Sequence, residues 1–402
     1  MSREHAAAMA NKINALFAAG GSAGLVRTAF ADVTREVVEL PSMFSGVLFD
    51  RLDAAGTGRV TREQFNAFWL ERLAGTDTAG RAFEVLRRPG VGHITHADMK
   101  PLMRDLLATH PGLDFLREAP EFQERYCETV VYRLFYSVAR ADPARITLRE
   151  LRRSDALEAM FAVDETDDIN RVLRFFSYEH FYVIYCRFWE LDSDHDFLLD
   201  REDLLRYGGH ALTYRIVDRV FAGAGRPFTS GVPGRMGYED FVWFILSEED
   251  KTSAASLGYW FRSCDLDGDG AIRPAEAAHF YEEQLQRMEC LAQEPVAFED
   301  VLCQMSDMLC PATAGRITLA DLRACKLAGQ FFNVLFNLGK FVAHEARDPF
   351  TIRAERDDPG LTEWDRFARA EYLRLSLEEE AEGAAAGGAL EDDHGGASWG
   401  EQ

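Results

Sequence analysis

No C-x-x-C pair occurs in this chain. Its seven cysteines, Cys127, Cys186, Cys264, Cys290, Cys303, Cys310 and Cys325, stand apart, which argues for reduced thiols and against disulfides or structural zinc. No run of eighteen apolar residues is present, so no membrane span is expected, and the opening M-S-R-E-H-A-A-A lacks the apolar core of a secretory signal. The expected address is cytoplasmic, with nuclear or cytoskeletal pools compatible. Basic charge is scarce: 44 Lys and Arg face 67 Asp and Glu, a formal net charge of −23. That disfavours nucleic acid and anionic lipid as main partners and suits cations or basic protein surfaces.

Catalytic signatures are missing too. There is no phosphate-binding loop, dinucleotide fingerprint or kinase set. A literal G-x-S-x-G at Gly20–Gly24 follows the helical stretch M-A-N-K-I-N-A-L-F-A-A instead of a strand, so these glycines are expected to end a helix. His93 and His96 lack the spacing and the Glu partner of a zinc site.

What is present is a calcium loop. From Asp265 to Glu276 the sequence reads D-L-D-G-D-G-A-I-R-P-A-E. Asp265, Asp267 and Asp269 offer hard oxygens at positions one, three and five, the Ala271 carbonyl takes the seventh, and Glu276 closes the shell at twelve. Gly270 permits the bend at position six. Arg273, at nine, is expected to face solvent, and Pro274 sits where a helix can begin.

A lone helix-loop-helix cannot bury its apolar face, so further copies are expected. Seven windows share a residue at six that is small in all but one, an apolar residue at eight and a polar residue, acidic in six of them, at twelve. The six/eight pairs are Gly58/Val60, Gly92/Ile94, Ala144/Ile146, Phe197/Leu199, Gly234/Met236, Gly270/Ile272 and Gly315/Ile317; the twelfth positions are Gln64, Asp98, Glu150, Asp203, Asp240, Glu276 and Asp321. Neighbour spacing suggests strand pairs of 60 with 94, 146 with 199 and 236 with 272, leaving 317 single. Helical apolar periodicity flanks each window. The expected fold is mainly α: an elongated array of EF-hand-like helix-loop-helix units with short β bridges, plus C-terminal helices. Expected divisions are an N-terminal helical segment (1–42), a degenerate pair (43–110), metal-loop domains at 111–225 and 226–290, a C-terminal helical region with one EF-like unit (291–377), and a disordered acidic tail (378–402). The tail carries eight acidic residues and no Lys or Arg.

Five of the seven loops lack the acid set and are expected to be metal-free. The other, D-S-D-H-D-F-L-L-D-R-E-D, places Asp192, Asp194, Asp196 and Asp200 at one, three, five and nine, with the Leu198 carbonyl at seven and Asp203 at twelve. Phe197 replaces the glycine at six, at a strain on the order of 1 kcal/mol or more. Asp203 is one methylene shorter than the usual glutamate. Two Ca2+ sites are therefore expected, 265–276 strong and 192–203 weaker. Trp189 and Trp260, just ahead of the two loops, read as helix-entrance packing.

Longer stretches carry a resemblance. H-P-G-L-D-F-L-R-E-A-P-E-F from His110, F-S-Y-E-H-F-Y-V-I-Y-C-R-F-W-E-L-D-S-D-H-D from Phe176, Y-E-D-F-V-W-F-I-L-S-E-E-D-K from Tyr238 and Y-W-F-R-S-C-D-L-D-G-D-G from Tyr259 closely resemble the B-double-prime class of protein phosphatase 2A regulatory subunits, the 72-kilodalton type. The resemblance covers roughly residues 10 to 380. It implies a non-catalytic subunit that binds the HEAT-repeat scaffold and the catalytic subunit, directs the choice of phosphoprotein substrates and responds to calcium. The phosphatase signatures G-D-x-H-G and G-N-H-E are absent. The alternative is a free-standing EF-hand calcium sensor unconnected to phosphatases.

Overall fold

The computed structural model describes residues 3–18, 20–345 and 360–392, and the chain folds into two compact units, Met1–Tyr178 and Glu179–Gln402. Both are mainly helical. Six of the seven windows close their first helix in the same way: the position-one N–H donates to the carbonyl four residues back, as in Asp53 to Phe49 (2.8 Å), Asp192 to Phe188 (3.0 Å) and Asp265 to Phe261 (2.9 Å), whereas the Thr229 N–H donates to Asp240 instead.

The exiting helix starts by a second shared device. The first N–H groups of a helix have no intrahelical acceptor. In every window the side chain at position twelve accepts the N–H of position nine: Gln64 from Thr61 (2.7 Å), Asp98 from Thr95 (2.8 Å), Glu150 from Thr147 (2.9 Å), Asp203 from Asp200 (2.8 Å), Asp240 from Gly237 (3.1 Å), Glu276 from Arg273 (2.8 Å) and Asp321 from Thr318 (2.8 Å). This is the return half of a capping box, and such caps contribute about 0.5–2 kcal/mol each.

Within each unit the helix-loop-helix windows pair through antiparallel bridges, with partners that differ from the expected ones. Leu25 pairs with Val60 and Ile94 with Ile146 in the first unit; in the second, β1 (Leu198–Leu199) pairs with β2 (Met236–Gly237), and Ile272 pairs with Ile317. The expected pairings of 60 with 94, 146 with 199 and 236 with 272 are thus overturned, and 317 is not single. One residue causes the whole shift. Leu25 ends the glycine-rich segment that follows the first helix, and it supplies an eighth bridging residue, completing four pairs, that no acid pattern marks. Gly24 holds φ 80°, and a Cβ there would lie 2.4 Å from the Val60 carbonyl oxygen, so only glycine lets the two backbones meet. The divisions expected at 43–110, 111–225 and 226–290 consequently cut through bridged pairs.

Aromatic rings fill both cores. Phe17, Phe30, Phe49 and Phe65 pack together in the first unit, and Phe188 meets Tyr238 (5.2 Å) and Phe241 (5.4 Å) in the second. Burying one such ring stabilises by about 1.5–3 kcal/mol. Within the second unit the helix Glu363–Asp392 lies along the helix Tyr178–Leu191: Trp364 Nε1 donates to His180 Nδ1 (3.2 Å), and Arg187 pairs with Glu371 (2.7 Å). This helix corrects the expectation of a disordered tail from 378, since it continues to Asp392. Alanine and glutamate are strong helix formers, and residues 378–392 extend a helix that tertiary packing has already nucleated. Residues 393–402 of that expected tail lie outside the described residues.

Candidate metal centres

Asp265 follows the helix Ala254–Cys264, and Pro274 opens the helix Pro274–Cys290. Between them the backbone turns at Gly268 (φ 71°) and Gly270 (φ 82°). This turn brings one carboxylate oxygen from each of Asp265, Asp267 and Asp269 within 4.8 Å of the others. Backbone amides fix the carboxylates: Asp265 accepts from Gly268 (2.8 Å) and Gly270 (3.0 Å), Asp267 from Asp269 (3.0 Å), and Asp269 from Ala271 (2.9 Å). Glu276, nearly buried, reaches across the loop so that its Oε1 accepts from Leu266 (2.6 Å) while Oε2 caps the helix. Ala271, fully buried, precedes the bridging Ile272. Arg273 is exposed, as expected, and it also makes a contact that was not expected. Its guanidinium folds four residues back onto Asp269 (Nε 3.1 Å) and by that hydrogen bond lowers the Asp269 pKa.

The loop after the helix Tyr178–Leu191 follows the same backbone track without glycine. His195 (φ 56°) and Phe197 (φ 64°) stand where Gly268 and Gly270 stand in the other loop. Each left-handed residue with a Cβ costs about 1–2 kcal/mol. Aromatic packing offsets it: His195 stacks on Trp189 with centroids 4.0 Å apart and planes at 9°, and Phe197 packs on Phe188 (5.4 Å) and Tyr238 (6.5 Å). Trp189 therefore packs the helix entrance, as does Trp260, fully buried with its Nε1 donating to the Ser247 carbonyl (2.7 Å).

Asp192, Asp194 and Asp196 also bring three carboxylate oxygens within 4.8 Å. Asp192 is fully buried; its Oδ2 accepts from the Phe197 N–H (2.9 Å), and its Oδ1 has no hydrogen-bond partner. Burial foremost, and then the neighbouring Asp194 carboxyl, raise its pKa against the lowering effect of the Phe197 and Asp196 amides. An oxygen-lined space with a buried acceptor lacking a donor fits a hard cation such as calcium.

Asp200 and Asp203 are arranged differently. Asp200 caps the helix Arg201–Leu205 by accepting from Glu202 (2.9 Å) and Asp203 (3.0 Å), and those amides lower its pKa. Asp203 Oδ1 is ion-paired with Arg206 (2.7 Å), and burial raises its pKa. The shorter side chain stays at its own helix start, whereas Glu276 spans its loop. Leu198, half-buried, lies in β1.

In the remaining loops, protein groups occupy the acids. Asp53 accepts from the Thr57 N–H and hydroxyl (both 2.8 Å) and from Gly58 (2.7 Å). Asp98 pairs with Arg88 (3.1 Å), and Glu150 accepts from the amides of Arg140 (2.8 Å) and Ala141 (3.0 Å). Asp240 meets the buried Arg226 guanidinium (2.8 Å), and Asp321 takes the Ala312 amide (3.1 Å). The roles of Arg226, Arg206 and Arg273 were not read from the sequence, although Arg206 and Arg273 stand three or four residues from the acids they meet, a helical spacing that could have signalled them.

An EF-hand domain family model matches residues 77–166, which enclose the Ile94–Ile146 pair and exclude both acid-rich loops. The chain is 54% identical over 379 residues to an Arabidopsis thaliana protein named as a probable B''delta regulatory subunit of serine/threonine protein phosphatase 2A, covering 94% of this chain and 71% of that one. It is 44% identical to the Mus musculus B'' delta regulatory subunit of the same phosphatase, with 89% of this chain and 73% of the relative aligned. The chain belongs to the B'' regulatory subunits of protein phosphatase 2A. A solved structure titled as a PP2A PR70 holoenzyme, with the label diCa in its title, shares the fold at a TM-score of 0.63 and 47% identity, over 67% of this chain and 99% of that one. As a B'' member the chain is a regulatory, non-catalytic component of a serine/threonine phosphatase. Among its described residues no helix is long and apolar enough to cross a membrane.

Proposed function

We propose that this chain, as a B'' member, holds two calcium ions, one in each acid-rich loop, and that the ions set its fit to the phosphatase scaffold and catalytic subunits. The ligands would be Asp265, Asp267, Asp269, the Ala271 carbonyl and Glu276 in one loop. In the other they would be Asp192, Asp194, Asp196, the Leu198 carbonyl, Asp200 and Asp203. The observation that carries this reading is the convergence of three carboxylate oxygens in each loop on one shared backbone track, with a donorless buried oxygen at Asp192. The holoenzyme likeness, with diCa in its title, supports it.

Calcium supplies the charge that lets the carboxylates approach. The chain's own groups do the rest. Amides hold every one of these aspartates but Asp194 in place, and Glu276 links the first half of its loop to the start of the exiting helix, so an occupied loop would fix the angle between two helices. The protein would act in the cytoplasm, with nuclear or cytoskeletal pools, and present phosphoproteins to the catalytic subunit. The 265–276 site is the tighter of the two, because Asp203 falls short of the loop that Glu276 spans.

Calorimetric titration with calcium, followed by co-elution with HEAT-repeat scaffold and catalytic subunit with and without chelator, tests this. Two binding events are expected, with assembly favoured by calcium through a coupling of ~1–3 kcal/mol. Asp265→Ala with Glu276→Gln should remove the tighter event. An unchanged titration in that variant would show the ligand assignment to be wrong, and failure to co-elute in either state would sink the regulatory reading.

A further inference from the structure

In the first unit a groove of about 840 Å³ opens beside the end of the helix Pro120–Val138, the loop that follows it and the helix Leu148–Arg153. Four arginines line it: Arg140, Arg149, Arg153 and Arg174. Arg174 is engaged, pairing with Asp155 (2.6 Å) and donating to the Ser137 hydroxyl (2.6 Å). Two arginines close by in sequence are engaged as well, Arg145 with Asp142 (3.3 Å) and Arg152 with Asp77 (2.9 Å). Arg140, Arg149 and Arg153 differ. All three are exposed, and among the described residues no hydrogen bond or ion pair holds their side chains.

The pattern is selective. This chain holds 67 acidic residues against 44 basic ones, so an arginine readily finds a carboxylate. Glu150, the nearest acid in the groove, is spent on the amides of Arg140, Ala141 and Thr147 and on the Thr147 hydroxyl (2.7 Å). Arg149 and Arg153 stand four apart, hence on one face of their helix. The loop that carries Arg140 spans Ala139–Glu150, in which Ala139, Ala141 and Pro143 fill the positions that calcium-binding acids would need. A window without a metal-binding acid set, together with the helix that leaves it, thus presents three free guanidiniums around one concavity.

We propose that this groove binds an acidic segment, rich in Asp and Glu, on the proteins that this regulator brings to the phosphatase. The identity of that carrier rests on the regulatory reading above. Guanidinium forks pair with carboxylates in bidentate fashion, which makes arginine the fitting residue for such a segment. Glu150 and Asp155 at the groove disfavour a doubly charged phosphate more than a singly charged carboxylate. The net charge of −23 repels nucleic acid, and it equally repels an acidic peptide from the rest of the surface, leaving the groove as its landing place.

The test is fluorescence anisotropy of a labelled Glu/Asp peptide on the full chain at low salt. Binding is expected to weaken as salt rises and to fall about tenfold or more in the triple variant Arg140→Ala, Arg149→Ala, Arg153→Ala. The corresponding lysine triple variant, which keeps charge and loses the fork, should fall between. Circular dichroism and the calcium titration should match the parent, since both acid-rich loops lie in the other unit. Equal peptide binding by parent and alanine variant overturns the proposal. So does equal or tighter binding of a phosphoserine peptide without other acids, or of oligo-dT. Co-elution with scaffold and catalytic subunits reads the regulatory role separately. Retained assembly with lost peptide binding supports the groove, and assembly lost in the alanine variant would make it a contact within the holoenzyme and overturn it.

Discussion

Asp192 carries opposing demands on one side chain. Fully buried, with one oxygen lacking a hydrogen-bond partner, it would weaken the fold unless the proposed cation is bound, because an unsatisfied buried acceptor costs about 1–3 kcal/mol. Asp192→Asn keeps an acceptor for the Phe197 amide and turns an NH2 toward Asp194 and Asp196. In chelator this variant should unfold at higher urea, by about 1 kcal/mol, while losing the calcium-dependent part of its stability. Equal stability of variant and parent in chelator would refute the account. The same loop shows why Phe197 reads as an anomaly in sequence and not in structure. A left-handed phenylalanine is strained alone, and here Phe188, Trp189 and Tyr238 surround it.

At the scale of the element, the backbone track and the ligand set are separable. Loop 53–64 turns at Gly56 (φ 67°) and Gly58 (φ 74°), as loop 265–276 does at Gly268 and Gly270, yet it holds Asp53 alone, with Ala55 and Thr57 at positions three and five. Ala55→Asp, Thr57→Asp and Gln64→Glu together should let it bind calcium, seen as one more ion per chain in equilibrium dialysis. No added ion would mean that the turn alone does not define the site.

The acid-rich loops were legible in the sequence because their chemistry needs fixed residue types at fixed spacing. The bridging partners were not. A bridge needs only one apolar residue and room for a second backbone, and Leu25 satisfies this through Gly24, whose value lies in the Cβ it lacks. Helical character was legible from periodicity. The end of the last helix was not, because acidity suggests a solvated tail while alanine and glutamate favour continuing a helix already docked through Trp364. One pairing was equally hidden: that the exposed Arg273 reaches back to Asp269 depends on side-chain torsions that spacing does not fix.

For the whole molecule, the proposed ions are unevenly placed. Both acid-rich loops belong to Glu179–Gln402, and none belongs to Met1–Tyr178. Calcium at about a hundred times its dissociation constant adds ~2.7 kcal/mol for each site. Hydrogen exchange should therefore slow in the second unit, most around 188–205 and 261–280, and stay unchanged before residue 178. Protection spread evenly along the chain would contradict this assignment. The helix Glu363–Asp392 belongs to the same response, since it braces the helix that leads into Asp192.

The cap shared by all seven windows has a wider consequence. Because the residue at position twelve secures the exiting helix whether or not an ion is present, the architecture and the affinity for metal rest on different bonds of the same side chain. A unit can then fall silent as a sensor without falling out of the scaffold, and its freed surface becomes available for other recognition. The arginines of the window that ends at Glu150, and of the helix leaving it, are one such reuse.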